Sequence, residues 1–135
     1  MTLALAAGVA FAQSKTYKGV EVNVTGIERT TNLSLADCPA GANTVRGVIR
    51  PGDTNEFAAV KVDFKTGADF KAGTTVPKPI ATDVDGKTYN TAQSFAEIPA
   101  SQSFSCTFAF RVPKGTKLKS FAIDTLTIDV SKIAQ

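Results

Sequence analysis

Histidine and tryptophan are absent from the 135-residue chain, methionine occurs once and cysteine twice. Imidazole titrates nearest neutral pH and is the commonest metal ligand, so its absence removes histidine-based acid–base catalysis and most zinc and copper sites. Without histidine a serine nucleophile would need lysine as its base, and the spacing Ser-x-x-Lys does not occur; Ser120 and Ser131 both fail it. No apolar run approaches the roughly 20 residues that a membrane-crossing helix needs. The basic residues are scattered from Lys15 to Lys132, and the densest group, Lys114, Lys117 and Lys119, surrounds an expected turn and contains no aromatic. A nucleic-acid binder would show a basic stripe with aromatics between, so this group reads as a solvated edge and nucleic acid is not an expected partner.

What is present is apolar bulk. Hydrophobic residues make up 43% and charged residues 20%, with nine phenylalanines and a net charge of +3. That composition fills one core, and the length suits one domain. Residues 1–12 carry no charge, and the run from Leu3 to Phe11 is followed by polar Gln13-Ser14-Lys15. Ala10-Phe11-Ala12 has the small-x-small pattern a signal peptidase accepts, so residues 1–12 read as a signal-peptide remnant, with cleavage after Ala12 and residues 13–135 as the mature domain. A positive n-region is missing, which points to a leader longer than this stretch. The competing reading is a buried first strand or a short N-terminal helix. The expectation is a secreted or periplasmic, soluble protein with no membrane span in its mature chain and no cysteine at the cleavage point to carry a lipid.

Cys38 and Cys106 suit that destination, because an even pair in an exported chain most often forms a disulfide. A bridge closing a loop of that length would contribute about 4 kcal/mol in the chain-entropy model. Two buried free thiols are the alternative.

Period-two alternation is plainest from Phe104 to Val112, where Phe104, Cys106, Phe108, Phe110 and Val112 share one face. Cys106 is thereby expected in the core. From Phe57 to Lys65, Val60, Val62 and Phe64 alternate with Lys61, Asp63 and Lys65, and Val20, Val22 and Val24 alternate with Glu21, Asn23 and Thr25. Val45 to Ile49 is a shorter candidate before the turn Arg50-Pro51-Gly52-Asp53. Ile80 to Val84 and Lys87 to Phe95 flank Asp85-Gly86, which suits a two-residue hairpin. Over 121–130 the apolar phase changes near Asp124-Thr125, which predicts a β-bulge or a strand that changes sheets, and Pro113-Lys114-Gly115 forms the preceding turn. Thr31 to Asn43 reads as a loop tied down through Cys38, and Lys71 to Pro79 as a second loop. About seven strands with no helical periodicity predict an all-β fold, an immunoglobulin-like antiparallel β-sandwich.

Three segments in this order, Phe57 to Phe64, Asp83-Val84-Asp85-Gly86-Lys87-Thr88-Tyr89, and Cys106 to Pro113 ending in Phe110-Arg111-Val112-Pro113, give the chain a family likeness. It resembles the immunoglobulin-like (telokin-like) bacterial exported domains of the domain-of-unknown-function family 4352 over residues 17 to 130. The chain departs from that pattern in lacking a lipid-bearing cysteine and in having Lys65-Thr66-Gly67 where an asparagine often follows the central strand. The resemblance implies a sandwich fold and an exported location, and leaves the activity open.

Few constellations could carry chemistry. Asp83-x-Asp85-Gly86 has the opening of a calcium loop, making Asp83 and Asp85 the one metal candidate, but the twelfth position is Ser94 and a hairpin already accounts for Asp85-Gly86. Paired carboxylates could serve a glycosidase, and nothing singles out a pair. Asn23-Val24-Thr25 and Asn32-Leu33-Ser34 satisfy the N-glycosylation rule. The sequence therefore favours a non-catalytic binding or structural module with no cofactor, meeting another exported or cell-envelope protein through its loops or sheet edges. The alternatives are a small carbohydrate-active or hydrolytic module using Asp and Glu alone, or an inhibitor of an exported enzyme.

Overall fold

Alternating side chains need two faces to occupy, and the chain supplies them as two four-stranded sheets. A computed structural model describes residues 14–32, 52–71, 74, 77–91 and 103–135. Those residues form eight strands: β1 (Ser14–Tyr17), β2 (Val20–Thr30), β3 (Asn55–Thr66), β4 (Ile80–Asp83), β5 (Thr88–Asn90), β6 (Ser103–Pro113), β7 (Leu118–Ile123) and β8 (Leu126–Asp129). One sheet has the order β1-β2-β3-β6 and the other β5-β4-β7-β8, with every neighbouring pair antiparallel. The sheets pack face to face around rings from both. Phe108 of β6 lies 5.8 Å from Phe121 of β7, and Phe110 meets Phe121 edge-on at 6.2 Å. Behind them Phe64 of β3 meets Phe108 edge-on at 6.3 Å. The expected all-β antiparallel sandwich is thus the observed fold.

Among the described residues eight strands stand where six of the expected seven fall, for two reasons. In β1, Ser14, Lys15 and Thr16 are exposed and only Tyr17 is buried, so the strand has no apolar alternation to betray it. It is held instead by a two-residue turn at Lys18-Gly19, where φ is +49° and +82°, the pattern of a type I′ hairpin. The second reason corrects the reading of 121–130. Neither a bulge nor a change of sheet occurs at Asp124-Thr125; β7 and β8 form a hairpin there, with Asp124 at φ +52° and Ile123 opposite Leu126. Residues directly opposite in an antiparallel pair share a face, so a two-residue turn puts positions i and i+3 on the same side. Phe121, Ile123, Leu126 and Ile128 all point inward although the parity of their numbers changes.

Register shifts lie elsewhere, one in the β4–β7 pairing between Thr82 and Asp83 and one in β2. The β2–β3 register shifts between Val24 and Gly26, so Val20, Val22 and Val24 face inward before it, and Ile27, opposite Val60, faces inward after it. The β4–β5 hairpin forms at the expected place, but its loop is one residue longer than expected. Asp83 and Lys87 close it, the Gly86 N–H donates to the Asp83 carbonyl at 3.0 Å, and Gly86 takes φ +89°. A type I turn followed by a left-handed glycine is the usual three-residue solution. The turn after β6 forms as expected, with the Thr116 N–H on the Pro113 carbonyl at 3.1 Å, and carries the chain from one sheet to the other. Residues 45–49 and 92–95 of the expected strands lie outside the described residues.

The sandwich has two unlike sides. On one, an isolated bridge between Thr91 and Phe110 joins the end of β5 to β6 across the sheets. On the other, β1 and β8 are the terminal strands of their sheets and run beside each other without a ladder between them.

Candidate functional site

Three polar places stand out, and the first is the sequence's metal candidate. Asp83 ends β4 on the inward face and is buried, whereas Asp85 is exposed on the loop. The Asp83 Oδ1 accepts the backbone N–H groups of Asp85 and Lys87, each at 2.9 Å, and Oδ2 accepts the Tyr89 hydroxyl at 2.9 Å. Burial pushes the Asp83 pKa up, but the Lys87 N–H, the Tyr89 hydroxyl and the Asp85 N–H outweigh it and hold the carboxyl below its ordinary value. Burial, reinforced by the neighbouring Asp83 carboxylate, raises the Tyr89 hydroxyl above the usual tyrosine value. The carboxylate is turned into its own hairpin, where these three donors take up both of its oxygens. No group of three His, Cys, Asp or Glu side chains placed to hold a metal occurs among the described residues.

The second place was not legible in composition or motif. After the β2 bulge, Arg29 lies opposite Ala58 on the inward face at one end of the sandwich. Its guanidinium pairs with Glu56 at 3.3 Å and donates to the Thr116 carbonyl, while Glu56 Oε2 also accepts the Gly115 N–H at 2.8 Å. Both side chains are 17% exposed, and Arg29 Nη1 is buried without a partner. The pair clamps the corner between β6 and β7. The register change at Gly26 was the signal that could have placed Arg29 inside, since it moves odd-numbered positions to the core face.

The third place is the open side of the sandwich. A cleft of about 380 Å³ runs between β1 and β8, lined by Lys15, Tyr17, Lys18, Asp124, Leu126 and three neighbouring threonines. The Tyr17 hydroxyl donates to Asp124 Oδ2 at 3.2 Å, tying one sheet to the turn of the other. This seam joins two sheet edges, the kind of feature expected from the sequence to meet partners.

The remaining candidates fall as follows. Cys106 is buried opposite Val62 on the inward face and is not a free thiol; Cys38 lies outside the described residues. Asn23 is half-buried with its Oδ1 buried and unbonded, whereas Asn32 is exposed in a bend whose N–H donates to Thr30 Oγ1 at 3.1 Å. Of the loop from Thr31 to Asn43 only Thr31 and Asn32 are described; in the loop from Lys71 to Pro79, Thr74 Oγ1 donates to the Lys71 carbonyl at 2.6 Å. Residues 1–12 lie outside the described residues. No helix long and apolar enough to cross a membrane occurs among the described residues.

Eight antiparallel strands in two facing sheets define the molecule as a β-sandwich. It is similar to the crystal structure of an uncharacterized β-sandwich protein from Clostridium difficile, with a TM-score of 0.57 at 11% identity, covering 89% of this chain and 90% of that one. That likeness concerns the fold. No family model matches the chain, that of family 4352 included, and no curated protein matches it.

Proposed function

We propose that the chain is an exported immunoglobulin-like domain, secreted or periplasmic, that acts by binding or supporting another exported or cell-envelope protein and not by catalysis. One observation carries the reading: among the described residues the sandwich is bridged on its β5–β6 side and leaves two strand edges flanking a cleft on its β1–β8 side. Sheet edges with unmet backbone groups are natural places for another chain to attach. Among the described residues the two carboxyls with displaced pKa values support the same reading, since both serve local structure. Asp83 holds its hairpin, and Asp129 is held below its ordinary value by the Ser131 hydroxyl at 2.6 Å and the Ser131 N–H at 2.8 Å.

The exported location rests on the Ala10-Phe11-Ala12 pattern. The Cys38–Cys106 bridge rests on Cys106 not being a free thiol in a chain with two cysteines. Fractionation of the producing cells with intact-mass measurement tests both. The expected species is extracytoplasmic, begins at Gln13 and gains no alkyl groups until it is reduced. A cytoplasmic protein, or one alkylated at two thiols without reduction, overturns the assignment. Affinity purification from the envelope fraction tests the binding role, which fails if the domain is recovered alone after crosslinking.

A further inference from the structure

We infer that the seam between β1 and β8 binds an extended, carboxylate-bearing peptide segment of another protein by strand addition along β1. The inference rests on the binding role proposed above and adds its site and the chemistry of its partner. In a hairpin closed by two residues, the pair flanking the turn exchanges both backbone bonds, and bonded pairs then alternate along the strands. Tyr17 lies opposite Val20 and Lys15 opposite Val22, so these residues turn their N–H and C=O groups into β2. Ser14 and Thr16 turn theirs away, along an edge with no neighbouring strand in the sheet among the described residues. In β8 the same count pairs Leu126 with Ile123 and Ile128 with Phe121, leaving Thr127 and Asp129 with outward backbone groups. The Val130 N–H on the Lys119 carbonyl at 2.9 Å continues that alternation. Two open edges thus flank one cleft, with Tyr17, Leu126 and the Tyr17–Asp124 hydrogen bond lining it.

Charge selects the occupant. Lys15 shares the face of Val22 and is directed to the seam, and Lys18 stands at the adjoining turn with its ammonium 5.4 Å from the Tyr17 ring centroid. Among the described residues neither lysine makes an ion pair, and the one carboxylate lining the cleft accepts the Tyr17 hydroxyl. A second copy pairing along β1 would bring lysines together, the means by which natural edge strands resist self-association. A strand with acidic side chains at alternate positions meets those lysines favourably while its backbone pairs with Ser14 and Thr16.

The probe is a short fluorescein-labelled peptide alternating Glu and Val, titrated by anisotropy beside its Lys–Val counterpart and a version N-methylated at alternate residues. Saturable binding of the acidic peptide is expected, with each of the other two weaker by about tenfold or more. Thr16→Pro removes an outward N–H and none of the β1–β2 bonds, so it should cost about tenfold in affinity at an unchanged melting temperature. The double variant K15E/K18E should reverse the charge preference and provides the test if Thr16→Pro does not fold. Absence of saturable binding, or binding indifferent to N-methylation, overturns the proposal. So does concentration-dependent dimerisation abolished by Thr16→Pro, which would place a second copy on the edge. If an envelope partner is retained by K15E/K18E and Thr16→Pro alike, the binding role stands and the seam assignment fails; if neither peptide nor partner binds, both fail.

Discussion

Phe121 is the ring on which the two sheets interlock, fully buried between Phe108 and Phe110 of the opposite sheet. Replacing it with alanine removes a buried aromatic side chain from a position that the surrounding strands cannot easily collapse into. Such truncations cost about 3–5 kcal/mol, of which each aromatic pair supplies about 0.5–1.5. A domain of this size has about 5–15 kcal/mol in total, so Phe121→Ala should remove a large share of the stability without abolishing the fold. With a urea dependence of about 1.5 kcal/mol per molar, a loss of about 4 kcal/mol lowers the urea midpoint by roughly 2.5 M. Equilibrium unfolding followed by circular dichroism measures this, with exposed Lys119→Ala as a control expected within about 0.5 kcal/mol of the parent. A double-mutant cycle with Phe108→Ala should show coupling of about 0.5–1.5 kcal/mol. A loss below about 1 kcal/mol for Phe121→Ala would refute the interlocked core, because a ring so enclosed cannot be removed that cheaply.

Three further outcomes follow from the polar places and from the Lys18-Gly19 turn. The Asp83 and Asp129 carboxyls are held below their ordinary values, so their contribution is present above the unfolded aspartate pKa of about 3.9 and is lost as pH falls through the folded values. Asp83→Asn should therefore be less stable at neutral pH and show a shallower loss in acid, read from urea midpoints between about pH 5 and pH 2. Gly19 has φ +82°, and a β-carbon there would lie 2.6 Å from the Phe70 backbone nitrogen, so Gly19→Ala should cost about 2–4 kcal/mol by thermal or urea unfolding. Glu56→Ala strands the Arg29 guanidinium and the Gly115 N–H, and with both side chains partly exposed the loss should be about 1–3 kcal/mol. Arg29→Met, which removes the cation instead of isolating it, should lose less in the same assay.

The sequence by itself determined the strands whose burial is one-sided and regular. In β3 and β6 the alternation of Val60, Val62 and Phe64, and of Cys106, Phe108 and Phe110, has a single solution, because a slip of one residue would turn every ring to water. The hairpin at Asp85-Gly86 and the turn at Gly115 were equally legible, since positive φ is a demand that local chemistry announces. Tertiary structure decided what alternation cannot encode. A change of phase reads the same for a bulge as for a two-residue reversal, and only the pairing of Ile123 with Leu126 made 124–125 a turn, while the true bulge in β2 moved Arg29 inward to Glu56. Strand β1 was invisible because its side chains bury almost nothing; backbone pairing with β2 holds it, and a backbone bond has no residue type of its own. The candidate seam was hidden for the same reason, since it consists of two strand edges that become neighbours only when the sheets close on each other.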